Sequence, residues 1–175
     1  MDSPTHPYRV LFLCTGNSAR SVFAEVFLRR LGEKRFEAFS AGANPSGTVH
    51  PLTLKVLRER FQLDASTARS KSWDEFRDVR FDFVITVCDG ARESCPVWPG
   101  QPIVAHWGVD DPAAFVGTAE AKERFVYEVA YMLYRRLQLF TALPLEKLDR
   151  LRVEKLTRHI GKDKALIPDE TASKH

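Results

Sequence analysis

The chain has 175 residues, of which 44% are hydrophobic, so it can bury one core of ordinary size. It carries 26 Lys and Arg against 23 Asp and Glu, a formal charge of +3, and the two signs are interspersed. This balance argues against nucleic acid or a membrane surface as a partner. The first residues show no basic and apolar signal region, and no apolar run approaches the ~18 residues of a membrane span. We expect a cytoplasmic monomer, with one domain over residues 1–161 and a flexible tail over residues 162–175.

The first pattern along the chain is strand, turn and helix. Apolar residues at 10–13 predict a buried strand, and apolar residues at helical spacing over 22–31 predict an amphipathic helix that stops at Gly32. Between them, residues 14–21 form a turn that directs backbone N–H groups and the positive end of the helix to one point. A phosphate-sized anion can bind there. The turn lacks the Gly-Lys-Ser/Thr ending of a nucleotide-binding loop, so nucleotide binding is the weaker interpretation.

Strands and helices continue to alternate after this unit. Further strands are predicted at residues 36–42, 81–87 and 103–107, and helices at residues 51–62, 73–76, 120–143 and 145–160. Residues 89–101 hold several Pro and Gly and are predicted to form a loop with little regular structure. The order predicts an α/β fold, a parallel sheet flanked by helices on both faces with an extended C-terminal helical segment. Functional residues should then lie at the carboxyl ends of the strands.

Cys14 and Arg20 are the candidate catalytic pair of the turn. A helix N-terminus and a neighbouring arginine favour the thiolate, which is the nucleophilic form of a cysteine. The planar guanidinium of Arg20 matches two oxygens of a tetrahedral oxyanion. The remaining candidates shape the loop or donate hydrogen bonds to its contents: Thr15, Gly16, Asn17, Ser18, Ala19 and Ser21. The alternative is that Cys14 is only a small apolar residue at the end of a strand.

Cys88 and Cys95 form a second group, at the end of the predicted third strand and in the segment after it. The chain has three cysteines, an odd number in a protein large enough to fold without cross-links, which argues against a structural disulfide framework. Cys88 and Cys95 can form a disulfide if the segment moves. A zinc site is disfavoured, because structural zinc prefers closely spaced cysteines and only scattered histidines such as His106 could complete it. The alternative is that Cys88 and Cys95 are buried thiols with no shared role. This alternative is stronger for Cys88, because that residue ends an apolar strand.

Asp111 is the candidate general acid, because Pro112 restrains its backbone to an extended geometry that can hold the carboxylate over the site. An ordinary loop aspartate is the alternative. The tryptophans are predicted to be packing residues, and Trp98 is the one best placed to face a partner if its loop is exposed. The histidines are predicted to be loop and surface residues.

Six motifs extend these observations over nearly the whole chain. They are Cys-Thr-Gly-Asn-Ser-Ala-Arg-Ser at 14–21, Phe-Ser-Ala-Gly at 39–42, Arg-Ser-Lys-Ser-Trp-Asp-Glu-Phe at 69–76, Val-Cys-Asp at 87–89, Cys-Pro-Val-Trp-Pro-Gly at 95–100 and His-Trp-Gly-Val-Asp-Asp-Pro-Ala at 106–113. Together they resemble the thioredoxin-coupled arsenate reductases built on the low-molecular-weight protein tyrosine phosphatase fold, a four-stranded parallel sheet flanked by helices. The first motif alone indicates the phosphatase superfamily, whereas Cys88 and Cys95 separate the reductases from the phosphatases.

The resemblance implies reduction of arsenate, with phosphate or sulfate as competing oxyanions. Cys14 attacks arsenate held by the loop and Arg20, while Asp111 protonates the departing oxygen. Cys88 then attacks the Cys14 sulfur, two electrons pass to arsenic, and arsenite leaves behind a Cys14–Cys88 disulfide. Cys95 attacks Cys88, and thioredoxin reduces the new disulfide. We expect no metal site and no tightly bound cofactor, with electrons supplied by thioredoxin.

Two positions depart from the family pattern. Some members carry a further cysteine where this chain has Ala19, and the three-cysteine relay does not use it. Members with a structural potassium ion use residues that match Asn17, Glu25 and Ser40. They also have an Asp where alignment places Lys71. We hypothesise that the Lys71 ammonium takes the cation position, pairs with Glu25 and braces Asn17, so that potassium is not needed; the alternative is a solvated surface lysine.

Two other functions compete with arsenate reduction. A low-molecular-weight protein tyrosine phosphatase is the main alternative, but such enzymes tend to carry tyrosines after the Asp-Pro pair, where this chain has Ala-Ala-Phe at 113–115. A thiol-based arsenite or redox sensor would use the three cysteines as ligands. It would leave Arg20 and Asp111 without a purpose.

Overall fold

The computed structural model describes residues 6–164, in which strands and helices alternate. The strands are β1 (Tyr8–Cys14), β2 (Phe36–Gly42), β3 (Phe83–Thr86) and β4 (Ile103–His106). The α-helices are α1 (Arg20–Gly32), α2 (Pro51–Phe61), α3 (Asp89–Ser94), α4 (Ala119–Thr141) and α5 (Arg150–Ile160). Short 3₁₀ helices span Glu33–Arg35, Trp73–Phe76, Pro112–Ala114 and Leu145–Lys147. The flexible tail predicted at 162–175 lies, beyond residue 164, outside the described residues.

The strands form one parallel sheet in the order β2-β1-β3-β4, which confirms the predicted fold class. β1 and β3 are central and almost entirely buried, which is why both are continuous apolar runs in the sequence. From β1 the chain runs to β2 at one edge and then returns to β3 on the other side of β1. This reversal opens a crevice at the carboxyl ends of β1 and β3, where ligands bind in sheets of this kind. Cys14 ends β1, and Cys88 follows β3.

The core beneath this crevice is rich in aromatic rings. Phe140 of α4 lies 5.0 Å from Phe83, 5.3 Å from Phe36 and 5.7 Å from Trp107 between ring centroids. The buried face of α4 consists of apolar residues and Arg136 and belongs to this core. Truncation of a buried Phe costs about 3–5 kcal/mol, so this cluster fixes α4 firmly to the strands that carry the cysteines. Within residues 6–164, no helix is long and apolar enough to cross a bilayer.

One prediction about residues 89–101 is wrong. The segment begins with α3 rather than an irregular loop, and a helix of six residues is too short to leave a visible apolar repeat. The prediction that Trp98 is a packing residue is confirmed, because it is 4% exposed and packs edge-on against Phe81 with 5.7 Å between ring centroids. The fully exposed apolar side chain of this segment is Val97.

Candidate active site

The loop at residues 14–21, which we call the oxyanion loop, joins β1 to α1. Asn17 adopts a left-handed backbone conformation with φ of 46°, which asparagine tolerates better than most residues. Ala19 precedes α1 without a side-chain cap, and the first turn of α1 has no acidic residue. The N–H groups at the start of α1 are therefore directed into the loop, an arrangement that suits an anion.

Backbone carbonyl groups of the oxyanion loop accept hydrogen bonds from the segment that follows β2. Those of Thr15, Gly16 and Ser18 accept hydrogen bonds at 2.9, 2.9 and 3.0 Å from backbone N–H groups in the segment 44–50. Gly42 permits this close approach, because a Cβ atom there would lie 2.5 Å from the Thr15 carbonyl oxygen. With its carbonyls held outside, the loop presents N–H groups to its interior.

The Cys14 thiol is buried inside this loop. Its Sγ lies 2.9 Å from Oγ of Ser21 and accepts the backbone N–H of Asn17 at 3.2 Å. A hydroxyl and an amide so close to the sulfur can both donate a hydrogen bond to a thiolate. The predicted nucleophile thus has two donors before any contribution from Arg20.

Arg20 and Asp111 meet at the mouth of the loop. The Arg20 side chain is 14% exposed; its Nη1 donates to the Val109 carbonyl at 3.4 Å, and its Nη2 lies 3.8 Å from Oδ1 of Asp111. Asp111 is half-exposed and caps the 3₁₀ helix Pro112–Ala114 by accepting the Ala113 N–H at 3.0 Å. The structure therefore places the predicted nucleophile, anion-binding arginine and acid around one point.

These three residues line a pocket of about 250 Å³. His50, which was expected to be a loop or surface residue, also lines it and caps α2 by accepting the Leu52 N–H at Nδ1, 3.0 Å away. Its position directly before Pro51 was the available sequence signal, because that proline marks a helix start. The pocket lining among described residues includes no Phe, Tyr or Trp.

Lys71 lies behind the oxyanion loop rather than on the surface. It is 8% exposed, and its Nζ donates to Oγ of Ser40 at 3.2 Å and to the Arg69 carbonyl at 3.1 Å, with Oε2 of Glu25 4.0 Å away. Its backbone N–H donates to Oδ1 of Asn17 at 2.9 Å. The alternative of a solvated Lys71 is therefore wrong.

Asn17 and Ser40 connect this ammonium to the catalytic thiol. The Asn17 amide nitrogen donates to Ser21 at 2.7 Å and to Ser40 at 3.0 Å, and the Ser40 hydroxyl donates to Glu25 at 2.9 Å. Burial lowers the pKa of Lys71, whereas the neighbouring Glu25 carboxylate raises it and so favours the charged ammonium. A continuous network thus runs from Lys71 to Ser21, which contacts Cys14.

Cys88 approaches the loop from the neighbouring strand. It is 4% exposed, and its Sγ lies 3.4 Å from Oγ1 of Thr15 and accepts the Ala91 N–H of α3 at 3.4 Å. Gly90 has no room for a side chain, since a Cβ atom there would lie 2.9 Å from the Thr15 hydroxyl. The strand order explains this meeting of residues 14 and 88, because β1 and β3 are adjacent.

Cys95 lies at the other end of α3 and is half-buried. Burial raises the pKa of the Cys95 thiol, and the Trp98 side chain lowers it. The Trp98 indole nitrogen is buried and makes no hydrogen bond of standard geometry within the described chain. All three cysteines are free thiols.

A groove of about 1060 Å³ runs from the mouth of the oxyanion loop to the segment that holds Cys88 and Cys95. It is lined by Arg20, Cys88, Cys95 and Asp111. His106, a second histidine expected on the surface, forms part of its wall and is held by Thr86 at 2.8 Å and Asp89 at 2.9 Å. No sequence signal indicated these contacts, which depend on the pairing of β3 with β4 that puts His106 beside Thr86. Among residues 6–164 no three His, Cys, Asp or Glu side chains cluster in a way that could hold a metal ion.

Residues 9–150 match the family model described as low molecular weight phosphotyrosine protein phosphatase. The arsenate reductases of Bacillus subtilis and Oceanobacillus iheyensis are 35% and 34% identical to the chain over 131 residues, or 75% of the chain and 93% of each relative. The chain belongs to the arsenate reductases of the low-molecular-weight phosphatase family.

Solved structures of this family have the same fold. An arsenate reductase in an oxidized state superposes with a TM-score of 0.64 at 27% identity, covering 77% of this chain and 96% of that one. A thioredoxin-dependent arsenate reductase of Corynebacterium glutamicum has a TM-score of 0.55 at 28% identity, covering 77% of this chain and 64% of that one. A low-molecular-weight tyrosine phosphatase of T. tengcongensis has a TM-score of 0.59 at 26% identity, with 81% and 98% covered. The fold thus occurs in both reductases and phosphatases.

Proposed function

We propose that this protein reduces arsenate to arsenite and takes its electrons from thioredoxin. One observation carries the proposal, which is that three free thiols lie around the same site. Cys14 lies in the oxyanion loop, Cys88 lies beside Thr15 of that loop, and Cys95 lines the same groove as Cys88. Hydrolysis of a phosphate ester needs only the first of these thiols. The curated arsenate reductases and the thioredoxin-dependent structure named above support the assignment.

The first step uses the oxyanion loop. The Cys14 thiolate bonds to the arsenic of a bound arsenate, and one oxygen departs as water after Asp111 donates a proton to it. Arg20 and the N–H groups at the start of α1 bind the remaining oxygens and stabilise their charge. Phosphate and sulfate have the same tetrahedral shape and compete for the loop.

The next steps move two electrons from sulfur to arsenic. Cys88 attacks Sγ of Cys14, so that a sulfur–sulfur bond forms and the sulfur–arsenic bond breaks. The electron pair of the broken bond stays on arsenic, which leaves as arsenite. Cys95 then attacks Cys88 and releases Cys14 as a thiolate, and thioredoxin reduces the Cys88–Cys95 disulfide by a further exchange.

Lys71 supplies, in this proposal, the positive charge behind the oxyanion loop. Its ammonium is bonded to Ser40 and faces Glu25, the residues that match the potassium ligands of other members, and its backbone holds Asn17. A fixed side-chain cation in this position removes the need for a structural potassium ion. Asn17 is then kept in the conformation in which its N–H reaches Cys14.

A tyrosine phosphatase is the weaker proposal. An aryl phosphate needs an aromatic wall, and the lining of the Cys14 pocket among described residues contains no Phe, Tyr or Trp. Phe115, which follows the Asp-Pro pair, is already stacked on Phe125 with 4.9 Å between ring centroids. The pocket therefore fits a small inorganic oxyanion better than a phosphotyrosine.

The reduced protein should be incubated with arsenate, thioredoxin, thioredoxin reductase and NADPH, and NADPH oxidation and arsenite should be measured together. Equal amounts of both are expected from the wild type and none from Cys14→Ser. A wild type that hydrolyses p-nitrophenyl phosphate rapidly but yields no arsenite would show the phosphatase instead.

A further inference from the structure

The family match ends at residue 150, where α5 begins, yet the chain continues as an ordered segment. We call residues 150–164 the C-terminal extension and residues 107–111, which lead to the general acid Asp111, the acid loop. The extension buries Val153, Thr157 and Ile160 against α4 and β4. Besides this apolar packing, the extension makes a hydrogen bond and a tight steric contact with Trp107 of the acid loop.

The first of these contacts is at Trp107. This side chain is fully buried, and its indole N–H donates to the Thr157 carbonyl of α5 at 2.9 Å. Gly161 closes the helix directly against the same residue. A Cβ atom at Gly161 would lie 2.7 Å from Cδ1 of Trp107 and would also collide with the His106 carbonyl oxygen. The extension and the start of the acid loop are thus in contact with no free space between them.

The second contact is a buried arginine of α4. Arg136 is 2% exposed, and its Nη1 donates to the carbonyls of Trp107 at 3.0 Å and Gly108 at 3.3 Å. Its Nε and Nη2 both donate to the Asp163 carbonyl, at 3.3 and 3.1 Å. One guanidinium therefore ties the acid loop to the extension, and the planar arrangement of donors makes arginine specific for this task.

The acid loop continues from these fixed carbonyls directly into the active site. The N–H of Val109 donates to the Val87 carbonyl at 3.2 Å, and its carbonyl accepts Nη1 of Arg20 at 3.4 Å. Asp111 then lies 3.8 Å from the other terminal nitrogen of Arg20. A shift of the loop at Trp107 or Gly108 would move both partners of Arg20.

We propose that the C-terminal extension is a positioning element of the active site, which holds the acid loop through Arg136 and Gly161 so that Asp111 and Arg20 face the same oxyanion. The inference rests on the proposed function for the role of Asp111, and it adds a task to a segment outside the family match. Misplacement of a catalytic group by about 1 Å can cost on the order of 100-fold in rate.

Gly161→Ala in the full chain tests this proposal. Gly161 has a right-handed backbone conformation, φ −61° and ψ −13°, so alanine is compatible with the local backbone, and the tightest contacts that it disturbs are those with residues 106 and 107. Arsenite release in a single turnover should fall by about tenfold to 100-fold. Arg136→Lys, which keeps the charge but loses the fork of donors, should show the same loss. Lys155→Ala, exposed on the same helix, is the matched control and should equal the wild type.

A second measurement separates positioning from stability and from the identity of the reaction. We expect both iodoacetate and iodoacetamide to alkylate Cys14, and only the rate of the anionic reagent to depend on Arg20. In Gly161→Ala the ratio of the two alkylation rates, measured by peptide mass spectrometry well below the melting temperature, should fall at least threefold. An unchanged ratio together with wild-type arsenite release, whatever the melting temperature, would overturn the proposal. If the wild type itself releases no arsenite, the proposed function fails, and the alkylation ratio alone decides the positioning role.

Discussion

The oxyanion loop (residues 14–21) and the redox segment (residues 88–98) lie side by side but are held very differently. In the loop, Asn17 is fully buried and bonds to Ser21, Ser40 and Lys71. In the redox segment only Cys88, Ala91 and Trp98 are buried, and Val97 is fully exposed. Its helix, α3, is six residues long.

This difference matches the two tasks of the proposed mechanism. Anion binding needs donors that do not move, because a preorganised site spends no free energy on rearrangement during the reaction. The relay needs sulfur atoms to come within the ~2 Å of a disulfide bond, so Cys88 must first reach Cys14 and then Cys95. A helix as short as α3 is marginal by itself and can unwind at little cost. The rigid oxyanion loop and the deformable redox segment thus lie next to each other.

Cys95→Ser should give the largest effect, because it should stop the recycling in the redox segment and leave the chemistry of the oxyanion loop intact. Cys14 and Cys88 suffice for the first disulfide, so about one arsenite per protein is expected, followed by no thioredoxin-dependent turnover. Quenched single-turnover assays and a thiol count measure this directly. If the variant releases no arsenite at all, the assigned order of cysteines is wrong.

Arg20→Lys tests the rigid region. Lysine keeps the charge but loses the bidentate geometry, and a hydrogen bond to a charged group is worth about 1.5–3 kcal/mol, so kcat/KM for arsenate should fall roughly 10-fold to 100-fold. The exchange between Cys88 and Cys95 should be unaffected. Arg30→Lys, exposed on the same helix, is the control and should retain full activity. Equal losses in both variants would argue against oxyanion binding by Arg20.

Lys71→Met tests the support behind the rigid region. The buried Glu25 would lose a cationic neighbour, and the free energy of unfolding should fall by about 1–3 kcal/mol, whereas Lys55→Met at a partly exposed ion pair should change it less. Urea denaturation at constant pH measures both. Potassium should raise the melting temperature of Lys71→Asp, which carries the acidic residue of other members, but not that of the wild type. A saturable potassium-selective rise in the wild type would contradict the proposed role.

The lowered pKa of Lys71 also predicts a pH dependence. The unfolded chain keeps this proton to higher pH than the folded protein does, so Lys71 contributes a rise in stability as pH increases toward the ordinary lysine range. The difference in unfolding free energy between the wild type and Lys71→Met should therefore grow in that direction. A difference that is constant between pH 7 and pH 10 would mean that Lys71 does not titrate differently on folding.

Trp98→Phe should have the smallest effect, confined to the deformable region. Burial raises the pKa of Cys95 and the Trp98 side chain lowers it, so loss of the indole N–H should reduce the thiolate fraction and slow the second exchange several-fold at neutral pH. The rate should recover as pH rises. Trp73→Phe is the control, and the first turnover should be the same in all three proteins. An altered first turnover in Trp98→Phe would show that the tryptophan supports Cys14 or Cys88 instead.

Local sequence was sufficient to predict the oxyanion loop. Strand, turn and helix are contiguous in the sequence, so the Cys14 thiol, the turn and the Arg20 guanidinium could be assigned to one site from neighbouring residues. The α/β class and the long helix α4 could be predicted for the same reason, because hydrophobic periodicity is local. The roles of the site residues, the monomeric state and the cytoplasmic location stay predictions.

Other parts of the site depend on contacts between distant segments. His106 gave no local sign of the groups that it contacts, and the short α3 was hidden among Pro and Gly residues. The buried indole of Trp98 depends on Phe81, which lies outside its own segment. Each of these side chains is typical of a surface loop when its sequence neighbours alone are considered.

The amino-acid sequence by itself determined that a thiol and an arginine share an anion-binding turn and that two further thiols follow later in the chain. Only the tertiary structure decided that these groups meet, because the strand order β2-β1-β3-β4 brings the ends of β1 and β3 together. It also placed the Lys71 ammonium behind the loop and joined Arg136 to the C-terminal extension. Burial of a charged side chain is stabilised by partners far away in the sequence, so a local pattern does not contain it.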